Sequence, residues 1–386
     1  MSSTHFKSIA LLIRRDTSYG RDVIRGVGDV ARAESWAVHT LPPTLEIQRS
    51  LHHLRPDGII SHLSGRAVLD AGASYPDIPL VDVSQHPLPA TVAVLPDNRQ
   101  IGVLAAEHMI ERGLQNFAFL AAHVEALDSP RREGFETTVR EAGWAFDHYF
   151  ARAYGQSDWM NQVAEDRKVI GWLKGLGSPV GVFAGTDEAA AHLLRACLEA
   201  GLKVPHEVSV VGVHDDPMIV AMTRPPLSSV RTDPQRVGYQ AARLLVDLLE
   251  GRKQPHDPVL IPPVGVTVRE SSDSYSVEDP LLRSALNQIR GPGGESLDVN
   301  LLAQTLQVSR RTLERRFLAK LGRSPAVELS RFRLERAKRL LGDTNLPLAD
   351  IAAQSGFGSA TRLCEAFRLS LATTPAQFRS SFQRGR

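Results

Sequence analysis

Two cysteines among 386 residues, Cys197 and Cys364, are too few for a disulfide framework. Both fall within helical patterns of different domains, so buried thiols in a reducing cytoplasm fit best. No apolar run approaches the roughly 20 residues of a membrane helix. Met1–Lys7 offers no basic flank leading into a signal-type core, and Ile9–Ile13 reads as a short strand instead. There is no Gly-x-x-x-x-Gly-Lys-Ser/Thr loop to cradle nucleotide phosphates and no Gly-x-Ser-x-Gly nucleophile elbow. His52-His53 and His62 lack metal-ligand spacing and have no Cys partners. These absences argue against an enzyme, and no cofactor or metal is expected.

Net charge is scarce as well, +2 at neutral pH, but it is unevenly placed. Residues 279–386 hold 18 Lys/Arg against 9 Asp/Glu, whereas residues 1–278 hold 27 against 34. A basic block attached to an acidic body is the electrostatic footprint of a DNA-binding domain joined to something that does not bind DNA. A solvated basic helix face would give the same totals, so the motif has to decide.

That motif occurs twice. Leu302-Ala303 leads through Ser309 into Arg310-Arg311-Thr312-Leu313-Glu314-Arg315-Arg316-Phe317, and Ile351-Ala352 leads through Gly356-Phe357 and Ser359 to Phe367. In each copy a small Ala allows two short helices to approach closely, and a Ser stands where an N-cap is needed. Leu313/Phe317 and Leu363/Phe367 then recur at helical spacing and leave the opposite face free. Two helix-turn-helix units, about 298–321 and about 347–370, can place two recognition helices in successive major-groove segments. Between them, Ser324–Leu341 reads as one long helix that sets their spacing.

The body, residues 1–270, alternates short apolar strands with amphipathic helices. Strands are expected at Ser8–Ile13, Gly58–Ser61, Leu80–Val83, Phe117–Ala121, Val180–Ala184, Val208–Val213 and Val264–Val268. Helices are expected at Arg21–Ala33, Ile101–Arg112, Arg131–Ala142, Val163–Leu176, Glu188–Ala200 and Pro234–Glu250. This alternation implies parallel sheets covered on both faces, and its length implies two lobes. The Ser-rich stretch 271–278 reads as a linker, and Asp279-Pro280 as the start of the C-terminal domain.

Several of these segments resemble known families. Ser309–Phe317, Arg333–Leu341, Leu348–Ala353, Gly356-Phe357 and Thr374-Pro375 are similar to an AraC-type DNA-binding domain. Tyr19-Gly20-Arg21, Gly58-Ile59-Ile60, Asp97-Asn98, Arg131 with Gly134-Phe135, Thr186-Asp187 and Val210–Val213 resemble a LacI-type sensor of the periplasmic-binding-protein fold. The two in this order resemble the xylose operon regulator family over about residues 6–380. Two departures concern specificity. His214 stands where the family's Val-Gly-Val-Asp stretch carries Asp, and Glu365 stands where the wider AraC class often has a basic residue.

The resemblance implies a two-lobed α/β sensor that binds a small sugar, xylose or a related pentose, in its cleft, and an all-α domain that binds operator DNA. Candidate sugar ligands are Tyr19, Arg21, Asp97, Arg131, Asp187, His214 and Asp215, set at strand ends and helix starts. Asp187 has a rival role as a helix cap, and Tyr19 and Arg21 as the mere start of a helix. A titrating His214 would make sugar affinity depend on pH over roughly 5.5–7.5. Candidate DNA contacts are Arg310, Arg311, Glu314 and Arg315 in the first unit and Thr361, Arg362 and Glu365 in the second. Arg311 and Arg315 lie one turn apart and suit bidentate contact with guanine, whereas Arg310 fits a phosphate or solvent better. Glu365 can accept from a cytosine amine or only orient Arg362. A homodimer is expected, with RNA polymerase as a further candidate partner and no membrane. Two other readings stay open: a constitutive DNA-binding protein whose body only dimerises, and a sugar- or nucleoside-processing enzyme tethered to DNA.

Overall fold

The computed structural model describes residues 6–41, 47–62, 77–84, 92–122, 129–152, 159–252, 257–273, 279–291, 293–371 and 373–383. The first lobe holds β1 (Ser8–Leu12), β2 (Ala37–Thr40), β3 (Gly58–Ser61), β4 (Leu80–Asp82) and β5 (Val92–Pro96). The second holds β6 (Asn116–Ala121), β7 (Ala145–Phe150), β8 (Val180–Ala184), β9 (Val208–Val213) and β10 (Ser228–Arg231). Then β11 (Val259–Ile261) returns to the first sheet and β12 (Gly265–Thr267) to the second. The orders are β11-β5-β4-β3-β1-β2 and β12-β10-β9-β8-β6-β7. Neighbours are parallel throughout except β10 and β12, which run antiparallel with Val230 opposite Val266.

All seven predicted strands are present at their expected places, and among the described residues five more were not anticipated. Three of those, β2, β7 and β11, are sheet edges. An edge such as β7 carries Asp147 and His148 with exposed side chains, so it lacks the continuous apolar run of a central parallel strand. β10 is internal, but Ser228 and Ser229 are its first two residues and disguise it, although both are fully buried.

Helices cover each sheet on both faces. In the first lobe Val23 and Val27 of helix Ser18–Ala33 and Ala241 and Leu245 of helix Pro234–Leu249 share a core with β1 and β3–β5. Leu51 of helix Ile47–Leu54 packs on the other face against Ala10 and Ile59. In the second lobe, helices Asn98–Ile110 and Pro130–Glu141 cover one face and Trp159–Gly175 and Asp187–Glu199 the other. The Asn98 and Pro130 helices touch through reciprocal glycines. A Cβ at Gly102 would lie 2.1 Å from the carbonyl oxygen of Arg131, and one at Gly134 would lie 2.1 Å from that of Arg99. This contact is closer than any side chain permits, and it brings Arg131 to Asn98. The chain crosses between the lobes three times, after β5, after β10 and after β11.

The described part of the linker expected at 271–278 is packed rather than open. Glu270–Ser272 form a 3-10 turn in which Ser271 and Ser272 are fully buried. Ser271 accepts from the Ser228 amide at 2.8 Å, and Ser272 Oγ lies 2.8 Å from His108 Nε2. Their hydroxyls therefore serve buried partners, which a composition-based reading takes for solvation. Residues 274–278 of that expected linker lie outside the described residues.

Asp279 caps helix Pro280–Arg290, the first helix of the C-terminal region. Its units are the helix pairs Val299–Thr305/Arg310–Leu321 and Leu348–Gln354/Ala360–Leu371. Between them, helix Pro325–Asp343 contributes Leu329 to the first core and Leu334, Ala337 and Leu341 to the second. Ala326, near its start, is exposed. Arg333 on this helix donates to the carbonyl oxygens of Glu295 (3.3 Å) and Leu297 (2.7 Å), and Gly356, at φ +82°, lies against the same Glu295 carbonyl. Both units are thus fastened to one spine. The domain docks on the body through Arg323, which donates to the Glu111 carbonyl at 2.9 Å, and through an Arg331–Glu111 ion pair. No described helix is long and apolar enough to cross a membrane.

Candidate ligand cleft and DNA-facing surface

Parallel α/β lobes expose ligand groups where strands end and helices begin. Thr17 caps helix Ser18–Ala33 by accepting from the Gly20 amide at 3.1 Å, which sets Tyr19 in the first turn. Tyr19 is buried; its ring lies 5.1 Å from that of His62, just beyond β3, and 5.6 Å from that of His214, just beyond β9. His214 Nδ1 is 3.3 Å from Thr232 Oγ1. Arg131, in the first turn of its helix, donates to Asn98 Oδ1 through Nη2 at 2.7 Å and through Nε at 3.2 Å, and to the Gly185 carbonyl. Asp187 is buried and accepts from Ser229 Oγ at 2.7 Å and from the Asp216 amide at 2.8 Å. Thr186 takes the capping role considered for Asp187, accepting from Ala189.

Burial dominates the electrostatics of this cluster. It pulls His214 down to about 3, helped by Arg131 and His62, and His62 down to about 4, helped by Arg14. Both imidazoles are therefore neutral near pH 7, so the expected titration of His214 over roughly pH 5.5–7.5 does not hold. Burial also lowers Arg131 to about 10, against the attraction of Asp187 and Tyr19, which leaves it charged. It raises Asp187 to about 7 despite two hydrogen bonds that favour the anion, and it raises the Tyr19 hydroxyl. Nδ1 of His62 is buried with no hydrogen-bond partner among the described residues.

Tyr19, Arg131, Asp187 and His214 come together as the sequence led one to expect, and three other candidates do not join them. Arg21 turns back to donate to the Arg15 carbonyl at 3.1 Å. Asp97 caps helix Asn98–Ile110, accepting from the Gln100 amide at 3.0 Å, while its neighbour Asn98 reaches Arg131. Asp215 points its carboxylate away from the cluster, at Arg269 Nη1 (2.7 Å) and Thr267 Oγ1 (2.8 Å). Two cluster members, His62 and Asn98, went unrecognised. His62 follows β3 directly, and the strand-end rule applied to every polar residue would have found it.

On the DNA-facing surface, Ser309 caps the first recognition helix through the Thr312 amide at 3.1 Å, and Ser359 supports the second through the Arg362 amide at 3.3 Å. Leu313, Phe317, Leu363 and Phe367 are fully buried. Arg311 and Arg315 are exposed, and neither has an ion-pair partner among the described residues. Arg310 instead pairs with Glu314 at 2.8 Å and reaches Asn300 at 3.3 Å. Arg316 pairs with Asp279 at 2.8 Å. Thr361, Arg362 and Glu365 are exposed on the second helix, with no Arg362–Glu365 ion pair among the described residues.

Comparisons with known proteins agree with both halves. The family described as a periplasmic binding protein-like domain matches residues 106–272, and a helix-turn-helix domain matches residues 302–381. The xylose operon regulatory protein of Haemophilus influenzae is 31% identical, over 98% of this chain and 99% of its own length. That of Escherichia coli K12 is 28% identical, over 96% of each chain. A solved structure of the "xylose-binding transcription activator xylR" superposes with a TM-score of 0.62 at 27% identity, covering 98% of this chain and 99% of that one.

Proposed function

Because the chain belongs to the family of xylose operon regulatory proteins, we propose that D-xylose or a closely related pentose is the effector read by its cleft. The observation that carries this reading is the convergence of Tyr19, His62, Arg131, Asp187 and His214 at strand ends and helix starts. A pyranose offers C–H faces to an aromatic ring and a ring of hydroxyls to fixed donors and acceptors. Tyr19 supplies the ring, Arg131 donates, Asp187 accepts, and each neutral imidazole offers one donor and one acceptor. The unpartnered Nδ1 of His62 marks a hydrogen bond that a sugar hydroxyl would complete.

In this reading the sugar shifts the placement of the tandem helix-turn-helix units on operator DNA. Arg311 and Arg315 read base edges, Arg310 with Glu314 sets the helix face, and Thr361, Arg362 and Glu365 make the second contact. The protein works in the cytoplasm as a homodimer, a state supported by exposed Leu198, Met218 and Met222 on the touching helices Asp187–Glu199 and Pro217–Met222. RNA polymerase is the further partner when the operator adjoins a promoter. No catalytic step is assigned.

Calorimetric titration of the full chain with D-xylose, L-arabinose, D-ribose and D-glucose tests the effector. Binding of D-xylose that is lost in Arg131→Met and weakened at least about 10-fold in His62→Ala supports the reading, 10-fold being about 1.4 kcal/mol. A chain stabilised by none of these sugars would support the constitutive alternative.

A further inference from the structure

His214 and Asp215 are consecutive, and both hold positive φ, +100° and +58°. Side chains of this kind rarely adopt such angles, and where they do the surroundings enforce them. Here the enforcement is visible. The His214 amide donates to the Val230 carbonyl at 3.0 Å and the Asp215 amide to Ser229 Oγ at 3.0 Å. Ser229 in turn donates to Asp187, which also accepts from the Asp216 amide. One arm of the turn, His214, lies against Tyr19 in the cleft. The other arm, Asp215, leaves the cleft altogether.

Where Asp215 goes is the informative part. Its carboxylate holds Thr267, the end of β12, and Arg269, two places beyond it. Arg269 also donates to the Leu227 carbonyl at 2.8 Å, and it directly precedes the buried turn from which the chain departs for the DNA-binding domain. A small cavity, about 90 Å³, is lined by Asp215, Thr267 and Arg269 on one side and by Glu335, Lys338 and Arg339 on the other. Those last three belong to helix Pro325–Asp343, the spine shared by both helix-turn-helix cores. At Gly265 a Cβ would sit 3.7 Å from Lys338 Nζ, so the start of β12 lies close beside the spine.

We propose that Asp215 is a positioning residue that transmits occupancy of the cleft to the DNA-binding domain, through Arg269 and β12. The proposal rests on the reading of the cleft as a sugar site. A sugar that engages His214 or Asp187 acts on a turn held in an uncommon conformation by those same groups. A small change of that turn moves the carboxylate on its far side, and with it the anchor of the last strand against the spine. Asp187, which clamps the turn, is at once a cleft residue and part of the transmission.

The test uses the full chain, D-xylose, and a DNA duplex selected from a random-sequence pool by the sugar-free protein. In wild type, xylose should change duplex affinity by about 5–150-fold, the usual span of allosteric coupling. Asp215→Asn keeps the shape and an acceptor for Thr267 but loses the charge facing Arg269. It should bind xylose within about 3-fold of wild type, while the xylose effect on duplex affinity falls below about 2-fold. Arg269→Gln should do the same, and the double variant should lose no more than either single change. If Asp215→Asn fails to fold, Arg269→Gln carries the test alone. Loss of xylose binding on the scale of His214→Ala would make Asp215 a ligand and overturn the proposal. Unchanged coupling, or a duplex affinity lowered equally with and without xylose, would overturn it too. A wild type whose duplex affinity ignores bound xylose would instead fell the sensing reading itself, whatever the variants do.

Discussion

The cleft and the DNA-facing surface are built from the same kinds of residue, yet they handle charge in opposite ways. In the cleft Arg131 is 4% exposed and Asp187 is 1% exposed, and each is engaged on several sides. Their ionisation is bent far from its ordinary range by the loss of water. On the recognition helix Arg311 and Arg315 stand in solvent, with no ion-pair partner among the described residues. A buried charge is fixed in place and sensitive to what enters beside it, which suits recognition of one small neutral molecule. An exposed arginine is free to meet a polyanion and lose its counterions, which suits DNA. A variant that treats the two sites alike would break the contrast.

The largest effect should come from the cleft. Arg131→Met leaves Asp187 without its compensating cation and Asn98 and the Gly185 carbonyl without their donor. It should cost about 3–5 kcal/mol of body stability in urea unfolding. A cost below about 1 kcal/mol would mean that Arg131 behaves as a surface residue.

Next comes pH. The folded state raises Asp187 from 3.8 to about 7, so it binds a proton that the unfolded chain has released. The associated stability is fully present below the unfolded value and is lost as pH rises through about 7, a change of up to about 4 kcal/mol. Thermal unfolding from about pH 4 to 8 should therefore fall more, or rise less, with pH in wild type than in Asp187→Asn. His214→Asn should change the slope the opposite way. His214 is neutral in the fold but takes up a proton on unfolding below its ordinary 6.5. That destabilisation grows as pH falls toward about 3, and the variant lacks it. An identical slope in Asp187→Asn would remove Asp187 from the account.

On the DNA side, Arg311→Ala and Arg315→Ala should each weaken specific binding by about 1–3 kcal/mol and relax preference at one base position. Titrations against the selected duplex and a scrambled one at fixed salt would show it. Equal losses on both duplexes would reduce these arginines to phosphate contacts. Smallest of all, breaking the exposed Arg310–Glu314 pair with Glu314→Gln should change domain stability by only about 0.3–0.5 kcal/mol. A larger change would mean that the pair is more sheltered than its exposure suggests.

The same contrast explains what could be read from the sequence. The DNA-facing surface was legible because each unit is local: a small residue, a capping Ser and two apolar positions at helical spacing lie within a score of residues. Exposed side chains on a known helix face follow from periodicity alone. The cleft is assembled from segments as distant as Tyr19 and His214, so its membership depends on how strands order and where each turn points. Strand ends identified Arg131, Asp187 and His214. They could not distinguish Asp97 from Asn98, or His214 from Asp215, because adjacent residues differ only in direction. The linker was misplaced for a related reason: a serine reads as polar whether it faces water or another buried hydroxyl.

Helix Pro325–Asp343 has a further consequence for the nucleic acid. With Leu329 locked in one core and Leu334, Ala337 and Leu341 in the other, the two recognition helices form a fixed-span caliper. A caliper does not stretch, so any mismatch with the pitch of the double helix must be taken up by the DNA. Base pairs between the two gripped grooves would then be selected for how readily they bend, with no side chain touching them. Inserting half a helical turn there, about 5 base pairs, would abolish simultaneous engagement, whereas flexible steps in place of stiff ones would tighten it.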